Sequence, residues 1–355
     1  SGYPKTGIVI DVAGDEWEET IDQSQELVKS FDFSSKEIID KIMAAGIVGL
    51  GGATFPTHVK LVPPKGMKAE MLIINGVECE PYLTSDHRLM MEKPDEILVG
   101  TLLLMKAMGV EKGFIGIENN KPDAISLLSE KAKDYSNIEV ISLKVKYPQG
   151  GEKQLIKAVT GREVPSGGLP IAVGTVVSNV GTAFAVYEAV QKNKPLFERI
   201  VTVTGKSVEN PSNFKVRIGT PVTELIEAAG GTPEDTGKII SGGPMMGKAI
   251  SKTDVSVTKG TSGILLIKKT EAKRNDTIAC IRCSRCVSVC PMGLEPFLLM
   301  TVSEKQMWEA VENNKVMDCI ECGSCSYTCP SNRPLLDYIR LGKGKVGQIM
   351  RARKN

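Results

Sequence analysis

The clearest periodic pattern in the chain lies between Ser34 and Lys192. Ser34 and Glu37 have the S-x-x-E spacing of a capping box, and Ile38, Ile39, Ile42 and Met43 follow on one face. That predicts a helix which stops at Gly46. An apolar run at Met71–Asn75 has the length and flanks of a buried strand. Beyond it the pattern alternates: a helix from Pro94 to about Met108, a strand at Lys112–Ile117, a helix at Pro122–Lys133 and a strand at Ile138–Leu143. A helix ending near Val159, a strand at Val176–Asn179 and a helix at Ala183–Lys192 complete the series. Strands alternating with helices of roughly 10–15 residues predict an α/β layer with a parallel sheet.

At Glu198 the texture changes to short β-branched strands. Ile200–Thr204, Phe214–Ile218, Lys238–Ile240 and Ile264–Ile267 surround one helical segment, Val222–Ala229, which reads as a small α+β module. Lys268–Thr277 is a polar linker, and helices are expected around Phe297–Asn313 and Pro334–Leu341. The chain therefore divides into residues 1–30 (a residual strand and linker), an α/β domain at 31–197, an α+β module at 198–269, a cysteine-bearing helical module at 270–341, and a basic tail at 342–355.

Composition narrows this picture. An apolar share of 41% with 24% charge is that of a globular protein, and a net charge of +2 argues against nucleic acid as a general partner. The charge is uneven, because Arg340–Asn355 holds six cations and no acid. The two most apolar stretches, Ile97–Val110 and Ile171–Val190, are broken by Lys106 and by Ser178, Asn179, Thr182 and Glu188. Both fall short of the roughly 20 apolar residues that a bilayer requires, so no membrane helix is expected. No secretory signal opens the chain.

Eight of the nine cysteines form two runs: Cys280, Cys283, Cys286 and Cys290, then Cys319, Cys322, Cys325 and Cys329, each C-x-x-C-x-x-C-x-x-x-C followed by Pro. Such spacing fits a reducing cytosol rather than a disulfide framework. It is the ligand pattern of a two-[4Fe–4S] ferredoxin module, whereas zinc sites show separated C-x-x-C pairs or Cys/His mixtures. Three close cysteines wrap three corners of a cubane, and the fourth ligand comes from the other run. One set is then Cys280, Cys283, Cys286 and Cys329, and the other Cys319, Cys322, Cys325 and Cys290. Cys79 stands alone in Glu78-Cys79-Glu80-Pro81 and reads as a small buried apolar residue.

Gly49-Leu-Gly51-Gly52-Ala-Thr-Phe55-Pro-Thr-His-Val-Lys60 is not a Rossmann fingerprint, because its glycines follow a helix at the wrong spacing. Alone it is either a turn or an anion cradle of backbone N–H groups, with Lys60 as counter-charge. The loop resembles the flavin-binding loop of the NADH-binding flavoprotein subunit of respiratory complex I. Asn75–Pro81, Tyr147–Glu152 and Thr175–Thr182 resemble that subunit in the same order, and the α+β module looks like its ubiquitin-like (SLBB, β-grasp) domain. With the two-cluster module, Asn75–Arg88 and Glu163–Pro170, the chain resembles the RnfC family, the peripheral subunits of Rnf ferredoxin–NAD electron-transport complexes.

The resemblance implies FMN cradled by Gly49, Gly51, Gly52 and Lys60, with Asn75, Glu78, Tyr147, Gly150, Ser178, Asn179 and Thr182 completing its pocket. It implies NADH stacked on Phe55, with Glu80 and Glu152 near its ribose or amide. Read without it, Phe55 is equally a core residue and both acids are solvated. Three departures are visible: Val77 and Gly151 stand where complex I has acids, and Leu61 and Pro63 replace aromatics. Nucleotide contacts fewer or weaker than in complex I are therefore expected. The implied activity is hydride exchange between NAD(H) and FMN followed by single-electron transfer through the clusters. The implied partners are the other Rnf subunits, and ferredoxin indirectly, at the cytoplasmic face of the inner membrane. A cobalamin reductase of bacterial microcompartments (PduS-like) shares the architecture, and a relay protein without a working nucleotide site is a further alternative.

Overall fold

The protein is described from a computed structural model, covering Ile8 and residues 10–353. The N-terminal strand expected in Tyr3–Val12 lies largely outside the described residues. The first domain begins with α1 (Ser35–Ala44), whose Ser34 and Glu37 form the reciprocal capping box. After the glycine loop comes a single turn, α2 (Thr57–Lys60), and then β1 (Met71–Asn75). Next are α3 (Ser85–Glu92), α4 (Pro94–Met108), β2 (Lys112–Glu118), α5 (Pro122–Ala132) and β3 (Ile138–Leu143). The domain closes with α6 (Glu152–Thr160), β4 (Thr175–Asn179) and α7 (Val180–Gln191).

Its sheet is wholly parallel in the order β3-β2-β1-β4. β1 is buried on both faces, which is why it reads as a continuous apolar run rather than an alternation. Leu72, Ile74 and Val176 join the main core with α1, α4, α5 and α7, while Ile73 and Val177 pack with Leu155 and Ile156 of α6 on the other side. Helices α4 and α7 touch backbone to backbone: a Cβ on Gly100 would lie 1.9 Å from the Ala183 carbonyl oxygen.

The second domain is a five-stranded sheet in the order β6-β5-β9-β7-β8. Its strands are β5 (Glu198–Thr204), β6 (Ser212–Arg217), β7 (Thr236–Ser241), β8 (Lys248–Ile250) and β9 (Gly263–Lys268), with α8 (Val222–Ala228) completing the module. β5 pairs parallel with β9 and the other pairs are antiparallel, a β-grasp arrangement. Within the expected linker, α9 (Lys269–Ala272) packs against β7, with Lys269 Cα 2.6 Å from where a Gly237 Cβ would stand.

The third domain contains α10 (Arg285–Ser288), α11 (Pro296–Glu304), α12 (Trp308–Asn313), α13 (Ser324–Tyr327) and α14 (Leu335–Ala352). Two expectations change here. The helix foreseen over Phe297–Asn313 is two helices, separated where Gln306 takes a positive φ of 55°. The separate basic tail is instead the continuation of the helix begun at Leu335. Val346 and Gly342 are buried, and a Cβ on Gly342 would lie 2.2 Å from Ser303 Oγ. Among the described residues no helix is long and apolar enough to cross a membrane.

Candidate functional site

The strand order reverses between β1 and β4, and in open α/β sheets ligands bind outside the carboxyl ends of the strands at such a point. The glycine loop lies there. Leu50 N–H donates to Thr182 Oγ1 at 2.9 Å, and Gly49 N–H donates to the Phe55 carbonyl. Asn179 caps α7 through Gly181 N–H and donates its amide to Asn75 O and the Asp86 carboxylate. A Cβ on Gly51 would stand 3.5 Å from the Asn179 Cβ. Gly52, at φ +114°, faces open space, a conformation that glycine adopts without strain. Asn75 Nδ2 donates to the Gly150 carbonyl, and Gly150 N–H to the Cys79 sulfur, whose thiol is pushed up to about 11 chiefly by burial. Gly49, Gly51, Gly52, Asn75, Gly150, Asn179 and Thr182 therefore meet in one cradle. Among the described residues the Gly51 and Gly52 N–H groups make no hydrogen bond, so the loop offers them as donors to an anion. Ser178 lies half-buried on β4, beside Ile74. Phe55 is half exposed at the edge of the loop, and Lys60 Nζ pairs with Glu152 at 2.6 Å.

Glu78 and Glu80 are occupied differently from expectation. The Glu78 carboxylate accepts from Asp86 N–H (2.8 Å) and His87 N–H (2.9 Å), the first turn of α3, so it satisfies that helix's free donors. Burial first, and then the Asp86 carboxylate, push Glu78 up to about 7. Both Glu80 oxygens accept from the β7–β8 loop, from Met245 N–H at 3.1 Å and Met246 N–H at 2.7 Å. Glu80, expected near the ribose or amide of NADH, engages both of its oxygens in this clasp on the β-grasp domain. Burial also raises Glu80, against these two hydrogen bonds.

The raised Glu78 has a testable sign. Its folded-state carboxyl holds a proton to higher pH than the unfolded one. The stability it contributes is full below the ordinary carboxyl value and is lost as pH rises through about 7. Glu78→Gln is expected to remove that loss. In thermal melts the variant should gain on the wild type between about pH 5 and about pH 8; parallel curves would contradict it.

The cysteine runs share one backbone. Arg282 and Glu321 take positive φ at equivalent positions, as do Ser284 and Gly323, and α10 and α13 are equivalent single turns. Cys290, Cys319, Cys322 and Cys325 line one cleft with Leu299, Leu336 and Ile339. The Cys325 thiol is pushed up to about 12 by burial and then by its neighbours Cys319, Cys322 and Cys290. Cys286 is raised by burial, with Cys329 among its neighbours. Among the described residues no three Cys, His, Asp or Glu side chains close on a single-ion position. Four cysteines around one cleft are the ligand set that one cubane takes.

The second run abuts both other domains. Tyr147 Oη donates to the Cys322 carbonyl at 2.8 Å. A Cβ on Gly151 would lie 3.4 Å from Ile320 Cδ1 and nearer still to Gln154, so an acid at this position would crowd that contact. A Cβ on Gly323 would stand 2.7 Å from the Met245 carbonyl, which is why this run has Gly where the first has Ser284. The β7–β8 loop is thus held between Glu80 and Gly323.

Known proteins agree with this architecture. The Nuo51 FMN-binding domain matches residues 42–188, the SLBB domain 200–249 and the 4Fe-4S dicluster domain 272–330. The C subunit of the Na+-translocating ferredoxin:NAD+ oxidoreductase complex of Acetobacterium woodii is 50% identical, across 92% of this chain and 74% of that protein. The chain belongs to the RnfC family of ion-translocating oxidoreductase complexes. The proton-translocating counterpart of Clostridium ljungdahlii is 48% identical over 97% of this chain and 76% of its own length. An NAD+-reducing [NiFe]-hydrogenase shares the fold at a TM-score of 0.56 and 16% identity, over 80% of this chain and 53% of that one.

In this RnfC-family chain, sequence reasoning missed the β7–β8 loop at 242–247 and the caps on α3. A signal for the loop existed in its Gly-Gly-Pro-Met-Met-Gly sequence, which offers free backbone donors with little side-chain cover.

Proposed function

We propose that the chain is the NAD(H)-binding flavin and iron–sulfur subunit of a membrane-associated ferredoxin:NAD+ oxidoreductase complex. The observation that carries this is the Tyr147 hydrogen bond to Cys322, which joins the flavin cradle directly to a cluster-binding run. The backbone N–H groups of Gly51 and Gly52, which Gly49 and Leu50 position through their own bonds to Phe55 and Thr182, would hold the FMN phosphate with the Lys60 ammonium. Phe55 would cover the nicotinamide, and Glu152, tethered by Lys60, would orient the nucleotide. Cys319, Cys322, Cys325 and Cys290 would hold one cubane, and Cys280, Cys283, Cys286 and Cys329 the other. When bound, the flavin exchanges a hydride with NAD(H) and single electrons with the clusters. The protein's own part is orientation: Asn75, Asn179 and Thr182 fix the cradle, and Tyr147 fixes its distance to the second run. The likeness to RnfC proteins supports other members of the complex as partners, ferredoxin as the remote electron source, and attachment at the cytoplasmic membrane face.

Gly51→Val tests the cradle. Its branched methyls would enter the space beside Asn179, so flavin binding should fall to background while about eight iron per chain are retained. Stoichiometric flavin in the variant would defeat the assignment.

A further inference from the structure

Two of the six cations in the basic stretch Arg340–Asn355 are turned inward, onto the second cysteine run. Lys343 Nζ donates to the Cys319 carbonyl at 2.6 Å and pairs with Glu321 Oε1 at 3.2 Å. Arg340 lies three residues earlier, on the same face of α14. Its Nε holds the other Glu321 oxygen at 2.9 Å, and its Nη2 reaches the Met246 carbonyl at 3.4 Å. Glu321 itself stands between Cys319 and Cys322 at φ 58°, with its N–H 3.4 Å from the Cys319 sulfur. Two cations against one anion leave one positive charge beside this run. That charge is fixed in place, because α14 is seated through buried Val346 and through Gly342 against Ser303. The first run has Arg282 at the position of Glu321, so it lacks the acid that gathers these cations.

We infer that Lys343 sets the reduction potential of the second-run cubane, holding it above the value that enclosure alone would give. The inference rests on the function proposed above and names the residue that governs the electron step next to the flavin domain. Tyr147, the β7–β8 loop and α14 close around the second run. Reduction adds one negative charge there, which poorly solvated surroundings disfavour. Net charge and hydrogen bonds around a cluster shift its potential against that cost. A cation fixed at the Cys319 backbone favours the reduced form, and its attraction is stronger away from water. Arg340 acts as a positioning residue: it neutralises Glu321, so the Lys343 charge is left uncancelled. In the step itself the cubane gains one electron and its donor loses one, with no bond or proton exchanged, and Lys343 transfers nothing.

The test is an anaerobic potentiometric titration of the holoprotein, followed by EPR, which reads the midpoints of the two cubanes. Lys343→Met keeps the length of the stem and removes the charge. It should weaken reduction of one cubane on the order of tenfold, a shift of about 59 mV to the negative for one electron, and move the other less. Lys343→Arg should restore the wild-type midpoint. Lys345→Met is the control: Lys345 is exposed, and it lies roughly 200° around the helix from Lys343. It changes the net charge equally and should leave both midpoints unmoved. All variants should retain about eight iron per chain. Should Lys343→Met lose iron, Lys343→Gln serves, with the same shift expected. Wild-type midpoints in the charge-removing variant, or an equal shift in Lys345→Met, would overturn the role of Lys343. A wild type that binds only about four iron would instead overturn the two-cubane reading beneath it.

Discussion

Cys290→Ala is expected to abolish the cubane of the second run and to spare that of its own. Cys290 stands in the cleft with Cys319, Cys322 and Cys325, and it is among the groups acting on the Cys325 thiol. Pro291 and Met292, directly after it, receive the Gln154 amide of α6, so the turn is anchored to the flavin domain. Removing one of four thiolates leaves a cubane corner without its protein ligand, whereas the remaining set of Cys280, Cys283, Cys286 and Cys329 is complete. Iron should fall from about eight to about four per chain. In EPR the surviving signal should also lose the broadening that a neighbouring reduced cubane causes. NADH oxidation with ferricyanide should persist, because the flavin and nucleotide sites proposed above lie in another domain, while electron passage out through the clusters should stop. Loss of the first-run signal instead would mean uncrossed ligation.

Gly100→Ala is expected to be the most damaging single methyl in the first domain. The added Cβ would stand 1.9 Å from the Ala183 carbonyl oxygen and 2.7 Å from its carbon, both backbone atoms of α7. A flexible side chain could swing aside, but a helix backbone moves only with the helix. Overpacking costs reach about 3 kcal/mol, and contact with backbone places this case at the upper end. Shifting α7 also moves its cap, Asn179, and Thr182, which together hold the glycine loop. Flavin occupancy should therefore fall along with the urea midpoint of the first domain. A variant as stable as the wild type would mean that α4 and α7 are not in backbone contact.

Much of this was legible in the sequence, and the exceptions have physical causes. The bounds of β1, α4 and β3 follow from local patterning, and α1 from its own capping box. The helix α3 was not seen because its N-terminus has no local cap. Its Asp86 and His87 donors are satisfied by Glu78, eight and nine residues upstream, in a segment that reads as pocket. The helix α14 reads as ending at Leu341 because Gly342 and Gly344 each cost about 1 kcal/mol in a helix interior. Only the packed structure shows that Gly342 is needed, since Ser303 leaves no room for a Cβ. Glu80 resembled a nucleotide ligand because its partner loop lies 165 residues away in the chain. The cysteine pattern was readable as chemistry, but which cubane faces inward depends on Tyr147 meeting Cys322, a contact between residues 175 positions apart.

On the proposed function, electrons pass between the clusters and NAD(H) only through the flavin cradle. The holoprotein should be fully reduced, freed of reductant and mixed anaerobically with NAD+, following cluster absorbance and NADH together. NADH should appear as the clusters reoxidise, one NADH for each two electrons lost, and Gly51→Val, with its clusters intact, should form none. NADH formed at the wild-type rate by the flavin-free variant, or wild-type clusters that reoxidise without producing NADH, would contradict it.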